Sequence, residues 1–316
     1  MRRLAPRAPL DDAVSLPSRG GRRGLDVTTR GLVVIYRSEG HDVAALSGVD
    51  LRVSAGEVVG LLGPSGAGKS TLLTVFGGLL EPSAGRVHVG HHEMKSMGQA
   101  DLDDFRAGDV GLVLQGAGRN LLPYLTPAQN VAFAQAGARR LGREVPDVRE
   151  VLALLGIEEL GDRPLRSLAP GQLQLTAIAV GMACFPGLLL GDEPTSQLDH
   201  ESRDRVLDAL TGINERLGST IVVVTHDPQV AARLPRTVTI RDGRVGAEGR
   251  LGEEYAVVSA DGSLPLSGAA LDDFPPGSLV RLRYDGTVWR LEGEGEGDDD
   301  VAAGPVARAQ PGREHA

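Results

Sequence analysis

The sequence has a single cysteine, Cys184, in 316 residues. That excludes an intramolecular disulfide and a multi-cysteine zinc site, and it suits a reducing cytosol. Aromatic residues make up only 3%, too few to build a stacking surface for single-stranded nucleic acid. Positive charge is scarce as well: 33 Lys and Arg against 42 Asp and Glu give a net charge of −9. No nucleic-acid partner is expected, because general backbone binding needs a basic surface. A local phosphate site made of backbone N–H groups stays open. No apolar stretch approaches the roughly 20 residues that span a bilayer, and the longest, Ala177 to Gly191, contains Pro186. It reads as the end of a buried helix, a turn and a buried strand, so any membrane-spanning part is expected on another chain. The start, Met1-Arg2-Arg3, does not lead into the apolar core of a secretion signal, being followed by Pro6, Arg7, Pro9, Asp11 and Asp12.

Hydrophobic residues, at 41%, are enough for a sizeable core. Residues 1–24 are rich in Arg, Pro, Ser and Gly and read as a disordered arm. Leu32 to Tyr36 and Val43 to Val53 have the character of strands, and Glu57 to Gly63 is a buried-strand run ending in a Gly-rich turn. A helix is expected from Lys69 to Leu80. Residues 116–182 read mostly as helices, punctuated by Pro123, Pro127, Pro146 and Pro164. Leu188 to Leu190 and Ile221 to Val224 are two more buried strands, the second following a helix from about Glu201 to Leu217. Strands alternating with helices indicate an α/β sheet. No internal repeat is evident. Residues 252–292 read as a small β-rich appendage, with strands at Tyr255 to Val258, Asp261 to Leu266 and Leu279 to Arg283. It faintly resembles the swapped-hairpin β fold of small bacterial regulators. Residues 293–316 carry an acidic run and read as a disordered tail.

Gly63-Pro64-Ser65-Gly66-Ala67-Gly68-Lys69-Ser70-Thr71 matches the phosphate-loop pattern G-x-x-x-x-G-K-[ST] at every fixed position. The glycines let the backbone curl around an anion with its N–H groups pointing inward. The helix that starts near Lys69 turns its positive dipole end towards the same anion. Lys69 is expected to reach the β- and γ-phosphates of a nucleotide, and the Ser70 hydroxyl to ligate Mg²⁺. Leu188-Leu189-Leu190-Gly191-Asp192-Glu193 is a hydrophobic strand ending in two acids. Successive strand residues face opposite ways, so the two carboxylates can take different tasks. Asp192 is placed to hold Mg²⁺, directly or through water, and Glu193 to polarise an attacking water.

With these motifs in this order, residues 25–250 resemble an ABC (ATP-binding cassette) ATPase. The resemblance implies a P-loop NTPase fold with a RecA-like core, an antiparallel β subdomain and a helical subdomain. It also implies ATP and Mg²⁺ as cofactors. Tyr36 stands where the family stacks an aromatic on adenine. Gln115 resembles the glutamine that touches Mg²⁺ and senses the membrane partner. Ser196-Gln197-Leu198-Asp199 resembles the loop that communicates between two cassettes, and His226 the switch histidine contacting the γ-phosphate. The implied partners are an integral membrane permease on a separate chain and a second ATPase subunit, identical or different. The implied location is the cytoplasmic face of the membrane. Gly77 to Gly85 and Asn120 to Thr126 resemble the lipoprotein-releasing and macrolide-efflux branch. Members of that branch pair with a four-helix permease and do mechanical work outside the membrane. Soluble relatives in translation or DNA repair carry two cassettes or long inserted arms, and neither is found here. A hydrolytically weak nucleotide switch gating a permease or a cell-wall enzyme stays open as an alternative.

The signature segment departs from the family pattern L-S-G-G-Q. In that register the chain has Leu168-Ala169-Pro170-Gly171-Gln172. Ala169 lacks the hydroxyl that the resemblance assigns to the partner-bound γ-phosphate, and Pro170 removes one backbone N–H. Gly171 keeps its donor. Leu175 and Val180 stand where arginines are common. One lost hydrogen bond to a charged group costs about 1.5–3 kcal/mol, and about 1.4 kcal/mol is tenfold. The expectation is a working but slow ATPase, or one whose intact signature comes from a different partner subunit. An Ala169→Ser, Pro170→Gly variant is expected to hydrolyse ATP about tenfold faster than wild type. A rate no higher than wild type would show that this segment does not limit turnover.

Overall fold

The structure is a computed structural model that describes residues 24–38, 41–250, 253–258, 262–266 and 269–293. Apart from Gly24 and Gly293, the expected arm and tail lie outside the described residues. These fall into two units, one ending at Ser263 and the other starting at Leu264.

In the first unit, β1 (Val27–Ser38) and β2 (His41–Val53) form an antiparallel pair. Next come β3 (Val58–Leu62), α1 (Lys69–Phe76), β4 (Ala84–Val89), the short β5 (His92–Glu93) and α2 (Gln99–Gly108). A strand, β6 (Val110–Val113), leads into four helices: α3 (Pro127–Ala134), α4 (Ala136–Arg140), α5 (Val148–Leu154) and α6 (Pro170–Gly181). The chain then forms β7 (Leu188–Asp192), α7 (His200–Leu217), β8 (Thr220–Val224) and α8 (Pro228–Ala231). It ends with β9 (Arg236–Arg241), β10 (Arg244–Arg250) and β11 (Glu253–Ala256).

Two sheets result. One is antiparallel, in the order β2-β1-β4-β5, and the other runs β11-β10-β9-β3-β8-β7-β6. In the second sheet β9, β3, β8, β7 and β6 are parallel, and β10 and β11 form an antiparallel edge. Strand β8 is Thr-Ile-Val-Val-Val and buried at every position, the pattern of a strand covered on both faces. Its side chains alternate between two cores: Val222 and Val224 join one, with Leu72 and Phe76 of α1. Ile221 and Val223 join the other, with Ile178 of α6 and Leu210 of α7. Helix α7 buries Val206, Leu207, Leu210 and Ile213, a helical stripe. Its start is capped by Asp199, which accepts from the Ser202 amide at 2.7 Å.

Helix α1 stops at Phe76 rather than Leu80, because Gly78 takes a left-handed φ of +67° and the Leu79 amide donates back to the Thr74 carbonyl at 2.9 Å. In the second unit α9 (Ala269–Asp273) precedes a hairpin of β12 (Val280–Tyr284) and β13 (Trp289–Gly293). The strand expected at Asp261 to Leu266 is absent from its described part, residues 262–266. Pro265 lacks the N–H that a ladder needs. The strand expected at Tyr255 to Val258 is instead β11, which pairs with β10 and so extends the large sheet.

Arg236 on β9 is buried and ties the sheet's edge together. It donates to the Arg52 carbonyl at 2.9 Å, to the Glu57 carboxylate at 3.1 Å and to Glu248 on β10 at 2.9 and 3.0 Å. Burial pushes the Glu248 carboxyl up, but bonds from Arg236 and Arg250 outweigh it and hold it below the usual carboxylate range. A depressed folded value adds stability above the unfolded value of about 4.3, and that stability fades as pH falls through the folded value. Glu248→Gln is therefore expected to destabilise the protein at pH 7 by about 1–3 kcal/mol in urea unfolding. The gap to wild type should shrink below about pH 4.3; a gap unchanged with pH would contradict the ion-pair account.

Candidate functional site

The parallel strands end in step. Val113 pairs with Gly191, Asp192 with Val224, and Val224 with Leu61. The loops that follow β6, β7, β8 and β3 therefore open on one side, at the carboxyl ends, where α/β sheets bind ligands.

After β3 the chain enters the phosphate loop. Gly63 has φ of +136°, and a Cβ there would sit 2.0 Å from the Ile240 carbonyl oxygen, so only glycine fits. Gly68 caps α1 in a left-handed conformation, and Lys69 and Ser70 begin the helix. The Lys69 side chain is buried and donates to the carbonyls of Gly63 and Pro64 at 2.8 and 2.7 Å. Ser70 Oγ donates to Asp192 Oδ1 at 3.1 Å. Tyr36, near the end of β1, is half-exposed, and its hydroxyl lies 3.3 Å from Thr71 Oγ1. The loop, the serine, the aspartate and the aromatic thus come together.

Asp192 is the last residue of β7, and burial pushes its carboxyl up. The Ser70 bond opposes that rise, the Glu193 charge adds to it, and Lys69 and Arg119 oppose it. Glu193 lies one residue past the strand with φ of +47°. The two carboxylates have different partners, Ser70 for Asp192 and Gln115 and His226 for Glu193, and the left-handed turn at Glu193 sets the second of them beyond the strand's own alternation. Such a conformation costs a non-glycine residue of order 1–3 kcal/mol. The Glu193 amide donates to the Val224 carbonyl at 3.0 Å. Its carboxylate accepts from Gln115 Nε2 at 2.9 Å and lies 2.8 Å from His226 Nδ1. Gln115 follows β6 and His226 follows β8, so three separate loops converge on this one acid.

The remaining candidates form a second group. Ala169 precedes α6, Pro170 is its first residue, and the Ala169 amide donates to Gln172 Oε1 at 3.0 Å. A Cβ on Gly171 would sit 2.5 Å from Ser202 Oγ, so α6 and α7 meet at their starts. Asp199 caps α7. Among the described residues no hydrogen bond joins Ala169, Gly171, Gln172 or Asp199 to the phosphate-loop cluster. Leu175 is buried and packs within the helical core.

The sequence shows Asn120 only as part of the branch resemblance, with no role in the site. Its side chain bonds the amide and carbonyl of Leu114 and the carbonyl of Gly116 at 2.8, 2.9 and 3.0 Å. It therefore braces the turn that presents Gln115. An asparagine in a Gly-rich loop was the available signal.

Oxygen donors from Ser70 and Asp192 suit a hard cation such as Mg²⁺, and Gln115 is bonded to Glu193, the next residue after Asp192. A bound cation would also relieve the penalty that burial imposes on the Asp192 charge. Among the described residues no cluster of three or more His, Cys, Asp or Glu forms a metal cage. Mg²⁺ does not need one, because it is usually held by one or two carboxylates together with substrate phosphates.

Comparison with known proteins shows the family. The ABC transporter family model matches residues 46–196. The lipoprotein-releasing system ATP-binding protein LolD 1 of Caulobacter vibrioides is 38% identical over 221 residues, covering 69% of this chain and 94% of that protein. The chain belongs to the ABC transporter ATP-binding family. It is an ATP-binding subunit and an ATPase. The methionine import ATP-binding protein MetN of the same organism is 39% identical over 285 residues, covering 90% of this chain and 83% of MetN. A solved dimeric cassette in a post-hydrolysis state, bound to ADP and Pi, superposes with a TM-score of 0.62 at 32% identity. That match covers 71% of this chain and 98% of the cassette. The ABC fold accounts for both sheets: the antiparallel one is the β subdomain, and the larger one is the core. Among the described residues no helix of this ABC ATPase is long and apolar enough to cross a membrane.

Proposed function

We propose that this ABC ATPase is the motor of a transporter whose integral membrane permease is a separate chain. Two cassettes, identical or different, work as a pair on the cytoplasmic face of the membrane. Residues 25–250 are the ATPase domain, β11 adds a strand to its large sheet, and the appendage expected at 252–292 is reduced to the unit that starts at Leu264. The observation that carries this reading is the Glu193 carboxylate, gripped by Gln115 and His226 beside the Ser70–Asp192 pair. An acid held that way can orient and polarise a water, the base-like task that phosphoryl transfer needs.

The amides of Gly63, Ser65, Gly66, Ala67 and Gly68, with Lys69 and Thr71, cradle the ATP phosphates, and Tyr36 supports the adenine. Ser70, Asp192 and Gln115 would hold Mg²⁺, which when bound neutralises charge developing on the phosphate oxygens. His226 holds Glu193 and the γ-phosphate side of the site. Ala169, Gly171, Gln172 and Asp199 belong to the face turned towards the second cassette. Similarity to a lipoprotein-releasing ATPase supports a narrower reading, mechanical work on a substrate outside the membrane. A second reading, a weak nucleotide switch, is favoured by one observation: Ala169 and Pro170 replace the hydroxyl and the N–H that the family pattern supplies.

Purification of the full chain from detergent-solubilised envelopes of its own cells tests the proposal. A polytopic membrane protein is expected to co-purify, with ATPase activity abolished by EDTA and restored by Mg²⁺. A membrane protein without ATPase activity would favour the switch, and a chain that purifies alone would contradict both readings.

A further inference from the structure

His226 presents a problem of placement. Its side chain is 68% exposed, and its hydrogen bond to Glu193 is the one bond it makes among the described residues. Its own packing therefore does not hold it where that bond forms. The support comes from the next residues, the turn that opens α8, and from Arg203 on the first turn of α7.

We infer that Arg203 is a positioning residue that straps the His226 turn to α7, so that the histidine meets Glu193. The Arg203 side chain is 13% exposed. Its Nη1 donates to Gln229 Oε1 at 2.5 Å and lies 3.5 Å from Asp227 Oδ2. Asp227 follows His226 directly and caps α8, accepting from the Gln229 amide at 2.8 Å. The guanidinium is also braced within α7, where Nε and Nη2 each lie 3.4 Å from Asp204 Oδ1. The neighbouring residue, Ser202, carries the close contact with Gly171. One guanidinium therefore joins the first turn of α7, next to its meeting point with α6, to the turn that follows the histidine.

The same pair of helices supplies its own control. Just past α8, Arg233 reaches back to Asp204 and Asp208 on α7 at 3.1 and 2.7 Å. Both arginines tie the α8 segment to α7 and share Asp204, whose Oδ1 also lies 3.4 Å from Arg203 Nε, but Arg233 alone reaches Asp208 and Arg203 alone reaches the turn next to His226. A merely structural role predicts the same effect from losing either one; a positioning role separates them.

This inference rests on the reading of Glu193 and His226 given above, and the test separates the two. Steady-state Mg-ATP hydrolysis and thermal unfolding are measured on the full chain with its membrane partner. The variants are Arg203→Ala, Arg203→Lys, Arg233→Ala, Gln229→Ala, His226→Ala and the Arg203→Ala, His226→Ala double. Arg203→Ala is expected to lower kcat about tenfold, the effect of losing one charge-assisted hydrogen bond, with KM nearly unchanged. Arg203→Lys restores part of the loss, and Gln229→Ala, which keeps the charge, gives a smaller loss of the same kind. Arg233→Ala lowers Tm and keeps kcat. The double variant is no slower than His226→Ala alone, because both changes remove the same function. Equal loss of kcat in the two arginine variants, or losses that multiply in the double, would overturn the inference. A low kcat in His226→Ala with a wild-type kcat in Arg203→Ala would overturn the strap alone. A wild-type kcat in His226→Ala would overturn the reading of the site and the strap with it. If Arg203→Ala does not fold, Gln229→Ala decides: a wild-type kcat there contradicts the strap.

Discussion

Val113 on β6 pairs with Gly191 on β7, Asp192 pairs with Val224 on β8, and Val224 pairs with Leu61 on β3. Because of this register, Gln115, Glu193, His226 and the phosphate loop leave the sheet at one level. A slip of one residue would turn every side chain of a strand to the other face. The two cores prevent that, since Val222 and Val224 fill one and Ile221 and Val223 the other. The hydrophobic packing of β8 is thus also what fixes the polar site, whose donors and acceptors would otherwise miss one another.

On that platform the site stores some strain. Glu193 takes a left-handed backbone conformation that its side chain disfavours, compensated by its amide bond to Val224 and by Gln115 and His226 on its carboxylate. Strain held by convergent bonds is characteristic of functional sites. At α6 the departures from the family signature are accommodated without distortion. Pro170 takes the first helical position, where its missing N–H has no partner in any case, and Gln172 reaches back to the Ala169 amide. Ala169 and Pro170 are exposed, so their effect falls on whatever faces that helix start. The fold beneath is untouched.

Much of this was legible in the residues. The phosphate loop, the acidic end of β7, Gln115 and His226 each sit at the end of a short hydrophobic run, and such runs are readable because buried parallel strands tolerate few polar residues. Strands β1 and β2 proved longer than their alternation suggests, since register shifts around Thr29, Leu32 and Val34 break the period of two. The left-handed conformation of Glu193 is one that no local pattern announces. The roles of Asn120 and Arg203 lie in their partners, which the sequence does not show: the brace on Leu114 and Gly116, and the contacts across 26 positions from Arg203 to Gln229. Helix α9 was hidden in a segment of weak periodicity, and Pro265 kept a neighbouring apolar stretch from forming a strand.

The account stands on Glu193 acting on water while the phosphate loop holds the nucleotide, and following the fate of a single bound ATP tests that division of labour most directly. Wild type and Glu193→Gln are loaded with γ-labelled ATP and Mg²⁺, washed, quenched over time and analysed for nucleotide and phosphate. Both proteins are expected to bind ATP, wild type to convert it to ADP and phosphate, and Glu193→Gln to keep it as ATP. Equal conversion by the two proteins would contradict the role of Glu193, and with it the central claim.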